Sequence, residues 1–167
     1  MAKKGFSLLI VFVTAIVFLP FCKKDKPDDP PGPPSNSFVN PILNGADPWV
    51  IKKDSFYYYT QTLGNRIAIW KTKTMSKLAT GNSTTVFSPQ AGMPNSANIW
   101  APEIHFLDNN WYIYYTAGAG PDITQRTWVL ENSNADPTTG NWIDKGRVYS
   151  TNTDFWAIDG TVFEHNG

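Results

Sequence analysis

Beyond residue 40 the apolar positions of the chain fall in short runs rather than at helical spacing. Asp54-Ser55-Phe56-Tyr57-Tyr58-Tyr59-Thr60, Ile67-Ala68-Ile69-Trp70 and Thr84-Thr85-Val86-Phe87-Ser88 are aromatic or β-branched stretches bounded by turn residues. Runs of this kind predict strands, and no stretch keeps a 3.6-residue period long enough to predict a helix. The pattern then returns. Asp108-Asn109-Asn110-Trp111-Tyr112-Ile113-Tyr114-Tyr115-Thr116 answers the first run, Trp128-Val129-Leu130 the second, and Gly146-Arg147-Val148-Tyr149-Ser150 the third. A longer loop, Ala117 to Arg126, displaces the later copies.

Each set of runs is headed by a small residue, a carboxylate and strand formers. These segments are Ala46-Asp47-Pro48-Trp49-Val50, Ala101-Pro102-Glu103-Ile104-His105-Phe106 and Ala157-Ile158-Asp159-Gly160-Thr161-Val162-Phe163, with carboxylates 56 residues apart at 47, 103 and 159. A unit thus reads as four short strands. Four-stranded units at this period are blades of a β-propeller, because one small sheet buries both faces only when neighbours stack around an axis. The expected fold is all-β: two blades and the first strand of a third, within a domain spanning 40–167. The first strand of a blade lies nearest the axis, so the three carboxylates are expected to converge at one mouth of the central channel.

Ahead of this domain, residues 1–22 open with Lys3 and Lys4, continue as an apolar run from Phe6 to Phe18 and end at Cys22, the single cysteine. That is the layout of a secretory signal peptide, and the run is short of the ~20 apolar residues of a membrane span. Cys22 directly behind it resembles the lipidated cysteine of bacterial lipoproteins, although Leu19-Pro20-Phe21 replaces the small residues usual there. The alternative is an incidental cysteine in a leader. Residues 23–39, rich in Lys, Asp and Pro, cannot build a core and read as an extended tether. The expected location is therefore exported: a cell-surface or periplasmic lipoprotein, or a secreted protein, touching membrane only through a lipid anchor.

Charge narrows the partners. The chain is neutral overall, but from residue 40 onward nine Lys/Arg face eleven Asp/Glu without a basic stripe, which excludes the footprint of a nucleic-acid binder. Seven Trp and seven Tyr suit sugar recognition, in which aromatic faces stack on apolar ring faces, and equally suit packing between blades. For Tyr57, Tyr59, Tyr112 and Tyr114 packing is the favoured reading. No metal-ligand spacing is visible: His105 and His165 lie 60 positions apart and Cys22 is in the leader. Gly118-Ala119-Gly120 follows a strand without opening a helix, so a nucleotide-binding reading is weak.

Paired carboxylates across a sugar-sized pocket are the minimal equipment for glycoside hydrolysis, one activating water and the other protonating the leaving oxygen. Asp47, Glu103 and Asp159 are the candidates, and spacing alone assigns none of them a role. Asn44-Gly45-Ala46-Asp47-Pro48-Trp49-Val50, Ile99-Trp100-Ala101-Pro102-Glu103-Ile104-His105 and Trp156-Ala157-Ile158-Asp159-Gly160-Thr161-Val162-Phe163 resemble three successive motifs of family 43 glycoside hydrolases. The resemblance implies a five-bladed β-propeller that hydrolyses arabinofuranosides or xylosides with inversion, as a monomer. It puts Asp47 in the place of the general base. Asp159 takes the place of the carboxylate that orients and tunes the general acid. The acid itself is a glutamate of a later blade, and no motif here supplies it.

Other residues keep two readings each. Asp47 before Pro48 also opens a turn, and Asp159 before Gly160 also suits a turn or cap. Glu103 and His105 share a strand face and read as pocket or structural residues. Trp49, Trp100 and Trp156 either stack on a sugar or pack between blades. The segments Thr72 to Leu78 and Trp156 to Val162 favour an α-L-arabinofuranosidase over a β-xylosidase, and a surface lipoprotein that binds glycans without cleaving them is the reading from another class. No cofactor is expected, though some family members hold a cation at the axis through a histidine of a later blade. Five blades need roughly 280 residues, and the chain ends at Gly167 inside a hairpin pattern. It is therefore expected to be a truncated piece of an arabinan-degrading enzyme, inactive by itself.

Overall fold

The computed structural model describes residues 39–150 and 153–165. The leader, Cys22 and the tether up to residue 38 lie outside the described residues.

Two antiparallel sheets of four strands follow one another along the chain. In the first, β1 (Ala46–Lys53), β2 (Phe56–Thr62), β3 (Ile67–Thr72) and β4 (Ser83–Phe87) lie side by side in chain order. In the second, β5 (Ala97–Leu107), β6 (Asn110–Gly118), β7 (Arg126–Asn132) and β8 (Ile143–Arg147) do the same. Each is a blade. β8 begins three residues before the expected Gly146, because the polar stretch Ile143-Asp144-Lys145 pairs with β7 despite carrying no alternating apolar signal.

The inner hairpins set the register. Lys53 pairs with Phe56 across Asp54 and Ser55, and Leu107 with Asn110 across Asp108 and Asn109. Asp54 (φ 54°), Asp108 (φ 47°) and Asn109 (φ 61°) hold the left-handed backbone that two-residue hairpins favour and that Asp and Asn tolerate. Matching the two hairpins, position for position, gives a structural repeat of 54 residues in β1–β2 against β5–β6.

The core lies between the blades. Tyr58, Ile67 and Ile69 of the first meet Ile99, Ile104, Trp111, Ile113, Tyr115, Ala117 and Leu130 of the second. Trp111 is fully buried, its ring 4.8 Å from Tyr58 and 4.9 Å from Phe106 in edge-on contact, and its Nε1 donates to the Ala135 carbonyl at 3.3 Å. The rings between these two blades therefore have the opposite parity to the one expected. Tyr57, Tyr59, Tyr112 and Tyr114 point to the other faces, where Tyr59 packs on Trp70 (5.6 Å) and Tyr112 on Tyr114 (6.4 Å).

An ion pair also bridges the blades, Lys71 on β3 to Asp136 after β7 at 2.7 Å. Partial burial works to raise the Asp136 pKa, but bonds from Lys71 and Thr138 outweigh it and hold the carboxyl below its ordinary range. A depressed folded pKa contributes stability above the unfolded value of about 3.9, and that contribution disappears as pH falls through the folded value. The pair is a quarter to a third open to water, which keeps its worth small. Urea midpoints should therefore separate wild type from Asp136→Asn at pH 6, and the gap should narrow and close as the pH falls below the ordinary carboxylate range.

The third motif does not form a strand. Ala157–Phe163 pairs with no strand among the described residues, since a strand needs a ladder partner and none is offered. It is nevertheless fixed to the second blade, the Ala157 N–H donating to the Gln125 carbonyl (3.2 Å) and the Asp159 N–H to Thr116 Oγ1 (3.1 Å).

Candidate active site

The innermost strands are broken by bulges at corresponding places. In β1 Ala46 faces Thr62 and Trp49 faces Thr60, leaving Asp47 and Pro48 opposite Gln61 alone. In β5 Trp100 faces Thr116 and Glu103 faces Tyr114, leaving Ala101 and Pro102 opposite Tyr115 alone. A bulge bends the strand and re-aims a side chain. The first bulge residue is left-handed each time, with φ 52° at Asp47 and 42° at Ala101, and Asp159 in the third segment has φ 52°. The structural counterparts are thus residues 47, 101 and 159. Glu103 occupies the place of Trp49, two residues further on, so the even spacing of 56 does not mark equivalent positions.

Two threonines, also 54 apart, secure these turns from the preceding blade. Thr62 Oγ1 accepts the Ala101 N–H at 2.7 Å, and Thr116 Oγ1 accepts the Asp159 N–H. Thr62 Oγ1 in addition donates to Asp47 Oδ2 at 2.6 Å. Close packing fixes the approach to Asp47 as well. A Cβ on Gly45 would lie 1.8 Å from Gln61 Oε1, and that amide is buried and held by the Tyr59 hydroxyl at 2.8 Å. A larger residue there would have to push that amide aside and strain its bond to Tyr59.

Asp47, Pro48, Trp49, Ala101, Glu103 and Asp159 together line one depression of about 180 Å³. Three consecutive segments each bring a carboxylate to it, and no Lys or Arg is among the lining residues. Asp47 and Asp159 are exposed, whereas Glu103 is partly buried beside His105, Oε2 to Nε2 3.2 Å. His105, 8% exposed, packs against the rings of Trp49 (5.1 Å) and Tyr114 (5.8 Å). Trp49 Nε1 donates to the Ile104 carbonyl at 2.9 Å. Trp49 therefore both walls the depression and ties the blades.

Trp100 and Trp156 do not line it. Trp156 is 46% exposed and donates to the Asp122 carbonyl at 3.0 Å. A larger apolar groove of about 640 Å³ runs over Ile42, Leu43, Val50, Tyr59, Met75 and Leu78, and carries no carboxylate. Among the described residues no group of three or more His, Cys, Asp or Glu is placed to hold a metal ion. Thr62 and Ala101 are the site residues that sequence reasoning missed. Aligning the hairpin turns, Asp54 with Asp108, rather than the acids, brings both to light.

Stacked four-stranded sheets whose innermost strands present acids to one depression define a β-propeller of the glycoside hydrolase class. The sequence model of glycosyl hydrolases family 43 matches residues 38–167, and the chain belongs to that family. It is 40% identical over 142 residues to an extracellular exo-α-(1→5)-L-arabinofuranosidase of Streptomyces avermitilis, covering 82% of this chain and 29% of that protein. It is 36% identical to α-L-arabinofuranosidase 43 of Humicola insolens, over 80% of this chain and 28% of the relative. Among solved structures, the α-L-arabinofuranosidase of Lactobacillus brevis superposes with a TM-score of 0.72 at 31% identity, covering 77% of this chain and 44% of that one. The chain thus spans less than a third of the length of these two curated relatives.

Proposed function

We propose that the chain is part of an exported, inverting α-L-arabinofuranosidase acting on arabinose-containing plant polysaccharides or their oligosaccharides. The observation that carries this reading is the depression to which Asp47 and Asp159 are both brought, each on a left-handed backbone turn. Asp47 is the general base: exposed to water and held by Thr62, it takes the proton of the water that attacks the anomeric carbon. Asp159 tunes the general acid, since a fixed negative charge nearby keeps the proton on a neighbouring carboxylic acid until the leaving oxygen needs it. The acid comes from a later blade. Trp49 and the Glu103–His105 pair would bind the sugar, Trp49 with its ring face and Glu103 by accepting a hydroxyl.

The names of the Streptomyces relative and the Lactobacillus structure favour the arabinoside over the xyloside reading. The Streptomyces enzyme is also named extracellular, which agrees with export; lipidation at Cys22 is part of the same proposal. With a single member of the acid–base pair present, residues 1–167 alone should show no turnover of an aryl α-L-arabinofuranoside. The chain completed by its remaining blades should release arabinose whose first-formed anomer, read by NMR, is inverted. Retention would refute the mechanism, and sugar binding without release would favour the non-catalytic glycan-binding reading.

A further inference from the structure

Thr62 has a second contact that its counterpart lacks. Among the described residues Thr116 Oγ1 accepts a backbone N–H from the following segment and meets no carboxylate, whereas Thr62 accepts the Ala101 N–H and at the same time donates to Asp47 Oδ2. The difference follows from the bulge residues: the second blade places Ala101 where the first places Asp47, so Thr116 has no carboxylate of its own blade to meet. A hydroxyl has one proton to give. With the Ala101 N–H on its lone pair at 2.7 Å, the Thr62 proton is directed at Asp47 Oδ2, 2.6 Å away.

We infer that Thr62 is a positioning residue for the general base, setting the Asp47 carboxylate by reference to the bulge of the neighbouring blade. This rests on the reading of Asp47 as base. One carboxylate oxygen is engaged by the hydroxyl and the other is left for the nucleophilic water. The bond ties the base to the backbone at Ala101, which lines the same depression, so the two walls of the site share one hydroxyl. A side chain with two free torsions on an exposed turn has no other hydrogen bond to fix it among the described residues. Loss of such a constraint displaces the base by a fraction of its reach, and misplacement of about 1 Å costs on the order of 100-fold in rate.

The test uses the completed enzyme and 4-nitrophenyl α-L-arabinofuranoside. Thr62→Val keeps the shape of the side chain and removes the hydroxyl. Thr62→Ala does so without setting a methyl against the carboxylate, and stands in should the valine variant not fold. For both, kcat should fall about 10- to 100-fold with KM changed by less than about threefold, since the hydroxyl acts on the base rather than on substrate affinity. Thr62→Ser, which restores the hydroxyl, should return kcat to within about threefold of wild type. A kcat near wild type in the valine or alanine variant, a loss confined to KM, or a serine variant as impaired as valine would overturn the inference. Asp47→Asn is measured alongside. If it stays active, the base assignment fails; if it is inactive while Thr62→Val is not, only the positioning role fails.

Discussion

Asp47→Asn in the completed enzyme is expected to lower kcat at least about a thousandfold, within the range that a positioned general base supplies, while KM moves little. The substitution is well isolated. Asn accepts the left-handed backbone that residue 47 adopts at φ 52°, and its carbonyl oxygen still receives the Thr62 hydroxyl, so neither the bulge nor its anchor is disturbed. Only the capacity to take a proton is lost. Thermal unfolding should therefore shift by no more than a degree or two, on the order of a surface substitution. An external nucleophile that needs no deprotonation, such as azide, should partly restore turnover in Asp47→Ala. A large drop in melting temperature together with unchanged kcat would instead make Asp47 a structural turn residue.

The largest stability effect should come from Trp111→Ala. The indole is fully buried between the blades, sandwiched by Tyr58 and Phe106, with its N–H bonded to Ala135. Removing it deletes the buried ring, leaves a cavity that two relatively rigid sheets close poorly, and strips a partner from a carbonyl; about 3–5 kcal/mol is expected. Urea unfolding followed by tyrosine fluorescence would read this directly. A loss below about 1 kcal/mol would mean that the contact between blades repacks and is not the main core.

Much of this arrangement was legible in the chain. Runs such as Ile67-Ala68-Ile69-Trp70 announce strands, and the recurrence of hairpin turns at Asp54 and Asp108 announces blades. The meeting of Asp47, Glu103 and Asp159 at one depression follows from their place ahead of each set of strands. Register was not legible. A bulge adds a residue that no propensity marks, so counting acid to acid gave 56 where the hairpins repeat at 54, and concealed that Ala101 rather than Glu103 matches Asp47. Face parity was hidden for a related reason: Tyr57-Tyr58-Tyr59 is apolar on both faces, and only the neighbouring sheet decides which ring is inside. Trp100 and Trp156 sit near site residues in sequence yet line no part of the depression: Trp100 lies at the bulge of β5, and Trp156, in a segment that forms no strand, donates to the Asp122 carbonyl instead.

The positive φ at residues 47 and 159 also restricts which acid can serve there. Aspartate tolerates a left-handed backbone comparatively well, while glutamate, with its longer stem, would meet a conformational penalty of about 1–2 kcal/mol before reach is considered. Between two chemically similar carboxylic acids, main-chain torsion alone thus favours the shorter at both positions. Lengthening the side chain by one methylene would be opposed at both positions by the backbone itself.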